Sequence, residues 1–260
     1  MTATAASTSR RHNRPMSKAE RETRIDLAAA YRLFAHFGRT DMLGQHLSAR
    51  LPDNPNHFLL NPFGWLFEQV TASSLIKLDM DGNVLDEDAE PLNYTGFVIH
   101  GAVMEARKDV NSVMHTHTPA GVAISMQRDG LLPLSQGACR FYGNLGYHDY
   151  EGVADDLSEQ ERLVRDLGPH QACILRNHGL LTAGRSVGDA FYLLHDLETA
   201  CEWQLKAQAS GAPLAPLTHE VASKTREQYV SWEGMQKAGS DPWPALMRLA
   251  DKIDPSYRDV

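Results

Sequence analysis

Three histidines in two short motifs are the residues whose types and spacing point to chemistry. His115-Thr116-His117 sets two imidazoles two positions apart at the end of an apolar run, Val113-Met114, with Pro119 just beyond. Residues two apart on a β-strand project from one face, so both rings can address one ion. Such pairs also occur on ordinary surfaces, so a second motif matters. His178 stands between Asn177 and Gly179, directly after the short apolar stretch Gln171 to Arg176. Glycine there permits a sharp turn and a close approach of the backbone to an ion. Three imidazoles at neighbouring strand ends would hold a divalent metal with coordination positions left open, as catalytic sites do and structural sites do not. Three neutral ligands leave the double positive charge uncompensated, which suits an enolate, enediolate or carboxylate. With Fe(II), the open positions could take a chelating substrate and O2.

The elements that must position these motifs follow from periodicity and turn signals. Ser17 with Glu20 forms a capping-box pattern, and Ile25, Leu27, Ala28, Leu33, Phe34 and Phe37 keep helical spacing until Gly38. Strand-like pieces follow at His46 to Leu51 and His57 to Asn61. Thr71 to Ile76 reads as a helical turn leading into a strand over Lys77 to Asp81. Tyr94 to Arg107 is expected to be a helix, Asn111 to His117 a buried strand, and Thr118-Pro119 the opening of another helix. A charged amphipathic helix spans Leu157 to Leu167, and a long one runs from Ser186 to Ser210 with Leu193, Leu194, Leu197 and Cys201 on one face. One or two weaker helices follow Pro213 and Pro216. Interleaved helices and strands imply an α/β or α+β class in three layers. The expected organisation is a disordered tail over 1–16, a metal-binding domain over 17–212 and a helical extension over 213–260. The tail's Arg10, Arg11 and Arg14 also allow an organelle-targeting reading.

Composition excludes several partners. A chain of 260 residues with 42% hydrophobic content can bury a large core. Its formal net charge of -8 argues against nucleic acid and anionic membrane surfaces. No apolar run approaches the ~20 residues needed to cross a bilayer. Cys139, Cys173 and Cys201 are odd in number and widely spaced, which fits a reducing cytoplasm better than a disulfide framework.

The motif His115-Thr116-His117-Thr118-Pro119-Ala120, followed by Leu175-Arg176-Asn177-His178-Gly179-Leu180, resembles the class II aldolase/adducin family. So do His46-Leu47-Ser48-Ala49-Arg50, Leu131 to Leu134, and Tyr147 to Gly152. The resemblance covers Ile25 to Ser210. It implies a three-layer α/β/α domain on a largely antiparallel sheet, a homotetramer with sites at subunit interfaces, and metal ligation by His115, His117 and His178. One divalent ion per chain is expected, Zn2+ as the first choice and Fe2+ or Mn2+ as alternatives.

Family membership leaves function open, because the family includes aldolases, epimerases, decarboxylase-like enzymes and non-enzymatic adducin heads. The departures carry the information. Sugar-phosphate aldolases of the family have an acid near the start of the helix before the histidine pair, where this chain reads Asn93-Tyr94-Thr95-Gly96-Phe97. Glu90 is the nearest acid, and it reads as a solvated loop charge continuing Asp86-Glu87-Asp88. Small phosphate-binding residues are replaced around His46, at Asn61, Phe63 and Trp65, and at Gly96, so these positions are expected to line a substrate pocket that has lost phosphate recognition. His148 and Tyr150 are candidate proton donors. The expected activity is a metal-dependent carbon–carbon lyase, of aldolase or decarboxylase type, on a non-phosphorylated hydroxy- or oxo-acid, aromatic acids included. The alternatives are a mononuclear non-haem Fe(II) oxygenase acting on an aromatic hydroxy acid, and a non-catalytic adducin-like assembly module.

Overall fold

The computed structural model describes residues 16–260 apart from 88, 154–156 and 237–240, and the side chains of 232–240 are likewise left aside. The expected tail therefore lies outside the described residues, save Met16. Seven strands form one sheet in the order β3-β2-β1-β4-β7-β6-β5. They are β1 (His46–Arg50), β2 (His57–Leu60), β3 (Ile76–Asp79), β4 (Ser112–Thr116), β5 (Gly146–His148), β6 (Ala172–Leu175) and β7 (Gly179–Gly184). Every pairing is antiparallel except β5 with β6, so the sheet is largely antiparallel, as the resemblance implied.

Helices cover both faces, giving three layers. On one face lie α1 (Lys18–His36), α3 (Pro119–Ser125), α4 (Gln136–Cys139) and α6 (Val187–Ala209), with α7 (His219–Gln236) against α4 and α8 (Trp243–Ile253) against α1. The opposite face carries α2 (Tyr94–Ala106) and α5 (Gln160–Leu167). The pleat sorts side chains between the two cores. Leu47, Met114 and Leu180 meet Leu27, Phe34 and Leu194 on the α1/α6 side. Leu60, Val113 and Leu181 meet Val98 and Val103 on the α2 side. Among the described residues no helix is long and apolar enough to cross a membrane. All three cysteines are buried free thiols.

Several elements depart from the sequence reading. Ser17 does cap α1 by accepting from the Glu20 amide, but the Glu20 carboxylate turns to Arg24 and Lys77 instead of closing the capping box. The helical turn read over Thr71 to Ile76 is shorter, one hydrogen-bonded turn over Thr71 to Ser74, and β3 starts at Ile76. Leu157 to Glu159 is a 3-10 turn before α5. Asp86 is no solvated loop charge: it is buried, accepts from the Lys77 amide and faces Arg24 at 3.6 Å. Asp88 lies outside the described residues. Neither β5 nor β7 was anticipated, and β4 stops at Thr116, one residue short of His117.

The strands nearest the histidines are pinned from α1. Beyond Leu60, β2 no longer pairs with β1, and the Leu47 amide donates instead to the Tyr31 hydroxyl at 2.8 Å. That hydroxyl also lies 2.9 Å from Asn61 Oδ1. One buried phenol thus holds the ends of both strands beside His46.

Candidate metal centre

The register of the central strands assembles the site. β1 and β4 pair with His46 opposite His115, and β4 and β7 pair with His115 opposite Leu181. His115 shares the α2 face with Val113, whereas Thr116 shares the other face with Met114. His117 follows the strand end, and His178 sits in the turn between β6 and β7. These positions bring three Nε2 atoms together: His115 lies 2.7 Å from His117 and 3.2 Å from His178. The three nitrogens form the cluster among the described residues able to hold an ion.

The donor set fits a divalent metal. His115 Nδ1 lies 2.8 Å from the Leu180 carbonyl, which only accepts, so the proton sits on Nδ1 and the lone pair on Nε2. His117 Nδ1 faces the Asp41 carboxylate at 3.3 Å with the same consequence. Lone pairs at these separations repel unless a cation lies between them. Two imidazole nitrogens bound tetrahedrally at ~2.0–2.1 Å from one zinc would lie about 3.3 Å apart, which the His115–His178 pair matches at 3.2 Å while the His115–His117 pair is closer at 2.7 Å. Burial, reinforced by the neighbouring imidazoles, depresses His115 well below the usual histidine range and brings His178 down to about 4. Burial also lowers His117, against the pull of Asp41. All three are therefore in the neutral, ligating form at pH 7.

The turn that delivers His178 works differently from the sequence expectation. Its unusual backbone belongs to Asn177, at φ 56°, a conformation asparagine tolerates better than most residues. Gly179 is needed for proximity: a Cβ there would lie 2.3 Å from the Thr116 carbonyl oxygen and 3.1 Å from the His117 ring. This close approach is between strands.

A residue that sequence reasoning missed supports the site from behind. Glu198 on α6 is 2% exposed and accepts hydrogen bonds from both the Thr116 and Thr118 hydroxyls, the residues flanking His117. Burial raises its carboxyl above the usual range. The available signal was a carboxylate on the helix face that also carries Leu194, Leu197 and Cys201.

The remaining candidates separate. His46 lies beside the cluster without belonging to it, its ring centroid 5.0 Å from that of His115. Gly96 lies under it, since a Cβ there would come 3.0 Å from the His46 ring. Tyr150 is half exposed with its ring 6.3 Å from His178. His148 is buried and held between Asp166 at 2.8 Å and Glu159 at 3.1 Å, so its nitrogens are committed to carboxylates. Asn61 spends its amide on Tyr31 and on the Pro62 carbonyl. Phe63 is exposed, Trp65 is half-buried, and the neighbouring Phe67 belongs to the core, edge-on to Tyr31 at 4.7 Å. The Phe63 amide bonds the Pro91 carbonyl, which ties this loop to the approach to α2.

Residues 25–205 match the family model described as the class II aldolase and adducin N-terminal domain. The chain belongs to that family. It is 48% identical to an aldolase II superfamily protein of Pseudomonas syringae of known structure, covering 94% of this chain and 98% of that one with a TM-score of 0.86. An L-fuculose 1-phosphate aldolase of Glaciozyma antarctica is 29% identical, covering 95% and 98% with a TM-score of 0.80. Mouse alpha-adducin is 39% identical over 91% of this chain but only 34% of adducin.

The depressed histidines set a stability dependence on pH. Burial also brings His100, on α2, down to about 3. Between an unfolded value of 6.5 and these folded values, the unfolded chain binds more protons than the folded one, so stability is lost as pH falls. His100 alone contributes a slope of about 1.4 kcal/mol per pH unit in that window. Urea denaturation of metal-free protein should show a markedly lower unfolding free energy at pH 5 than at pH 7. A flat profile would contradict neutral buried imidazoles.

Proposed function

We propose that this chain is a metal-dependent carbon–carbon lyase acting on a non-phosphorylated hydroxy- or oxo-acid, with His115, His117 and His178 holding one divalent ion. The observation that carries this reading is the convergence of three Nε2 atoms, two of them on rings whose protons are directed away, His115 toward the Leu180 carbonyl and His117 toward Asp41. A bound ion would supply Lewis-acid stabilisation of negative charge developing on a substrate oxygen. Zn2+ suits the nitrogen set best, with Fe2+ or Mn2+ as alternatives. The chain's own residues do the rest. Leu180 and Asp41 fix the tautomers, Glu198 fixes the segment around His117, and the buried faces of His46 and His115 exclude water from one side.

The Glaciozyma relative is named for a phosphorylated sugar, and we propose that this chain differs in substrate. Asn61, at a position expected to contact phosphate, has its amide engaged within the protein, and the adjoining loop presents Phe63. A dianion desolvated against such a surface would lose on the order of several kcal/mol of hydration without replacement. A non-catalytic assembly role has one observation in its favour: identity to alpha-adducin, 39%, exceeds that to the fuculose-phosphate aldolase, 29%. The intact three-nitrogen face speaks for the enzyme. The buried free thiols fit a cytoplasmic setting, with a small-molecule acid as the partner and the family's homotetramer as the assembly.

Three measurements test this reading. His115→Ala, His117→Ala and His178→Ala should each bring bound metal far below one ion per chain in protein purified without chelator. Wild-type metal content in all three variants would remove the site. Co(II)-loaded protein should shift its absorption on titration with unphosphorylated hydroxy- or oxo-acids and not with fuculose or ribulose phosphates, and protein purified without chelator or added metal should take up no O2 with the same acids. Tighter binding of the sugar phosphates would overturn the substrate class, and acid-dependent O2 uptake would favour an oxygenase. Light scattering should report a tetramer at micromolar concentration, and a monomer would refute the assembly.

A further inference from the structure

Beside the three ligating nitrogens runs a second line of polar groups that ligation does not use. His46, the first residue of β1, is 2% exposed and lies on the α2 side of the sheet, its ring tilted 39° to that of His115. It stands outside the three-nitrogen cluster. Its Nδ1 is 2.8 Å from His100 Nε2, and His100 Nδ1 is 2.5 Å from Ser48 Oγ. Ser48 Oγ in turn donates to the Val113 carbonyl at 3.2 Å. All of these groups are buried in the sheet or on α2.

The end of this chain sets its direction. A backbone carbonyl has no proton to give, so the Ser48 hydroxyl proton points at Val113. Ser48 Oγ then accepts from His100 Nδ1–H. Neutral His100 is left with its lone pair on Nε2, which accepts from His46 Nδ1–H. The proton of His46 is thereby fixed on Nδ1, and its Nε2 carries a lone pair. The ring is also fixed in place: Gly96, the third residue of α2, has no side chain because a Cβ would press against the His46 ring at 3.0 Å and Leu60 at 3.2 Å.

We propose that His46 is the proton acceptor of this site, its Nε2 lone pair presented by the Val113–Ser48–His100 chain. This rests on the lyase reading given above. In cleavage, His46 Nε2 takes the proton of the substrate hydroxyl. The freed O–H pair becomes the second bond of the departing carbonyl, and the C–C pair passes to the carbon next to the remaining carbonyl, giving an enolate. The proton held on Nε2 then returns to that carbon, so His46 ends as it began. While it is charged, His46 donates from Nδ1 to an unprotonated nitrogen, a charge-assisted bond stronger than its neutral counterpart. His100 and Ser48 are positioning residues.

Two experiments on metal-loaded, full-length protein test this. Nitrogen-15 NMR of selectively labelled histidine should find His46 as the Nδ1–H tautomer, and His100→Leu, which offers no acceptor, should abolish that preference. An Nε2–H tautomer of His46 in the wild type overturns the proposal. Exchange of pyruvate methyl protons in D2O reports the same acceptor working on carbon. His46→Asn should retain one metal per chain yet lose exchange by a factor of ~10²–10⁴, the usual contribution of a positioned base. Loss of metal in His46→Asn would make it a ligand, and retained exchange would exclude it as the base while leaving the lyase reading intact. Absence of exchange by the wild type counts against the lyase reading and the acceptor role together.

Discussion

The hydrogen bond from His115 Nδ1 to the Leu180 carbonyl joins the chemistry of this protein to its sheet. It spans β4 and β7, adjacent strands from distant parts of the chain, so it exists only when the register is correct. A shift of β4 by one residue would turn His115 to the α1/α6 core and bring Met114 to its place. The tautomer of the imidazole, the direction of its lone pair and the order of the sheet are therefore one constraint. Everything else converging on the site inherits that register, including His46 opposite His115 and the chain to His100.

The two faces of β4 divide the work. Val113 and His115 look toward α2, where His46, Ser48 and His100 form a fully buried polar line. Met114 and Thr116 look toward α6, where Glu198 gathers the hydroxyls of Thr116 and Thr118. Buried polar groups are costly unless bonded, and here each finds a partner on a neighbouring element. Such networks hold a geometry more firmly than apolar packing does, because a small displacement leaves a group unsatisfied.

Much of the site was legible in local sequence. The spacing of His115 and His117, the turn signal around His178 and the long apolar face of α6 depend on neighbours in the chain. The family resemblance added the antiparallel sheet, which periodicity could not supply. What escaped depended on partners far away. Strand β7 was hidden because buried on both faces it alternates poorly, and β5 because three residues leave no pattern. His148 looked like a free acid–base group, but its carboxylate partners lie on and just before α5. Glu198 looked like one more charge on a helix until α6 was placed against β4. His46 was visible as a candidate by itself, and only the β1–α2 contact shows it hydrogen-bonded to His100.

The three nitrogens also have a thermodynamic meaning beyond the reaction. His115 and His117 leave β4, and His178 arrives only after β5, α5 and β6 have been laid down. An unfolded chain holds these imidazoles at the ends of a long loop, with no shared face. An ion that binds all three selects the folded sheet, and its binding free energy becomes folding free energy. At a free concentration one hundred times its dissociation constant it would add about 2.7 kcal/mol to the folded state. Such an ion would be a clasp between the two halves of the sheet, and its supply would then set how long the folded protein survives as well as any activity it supports.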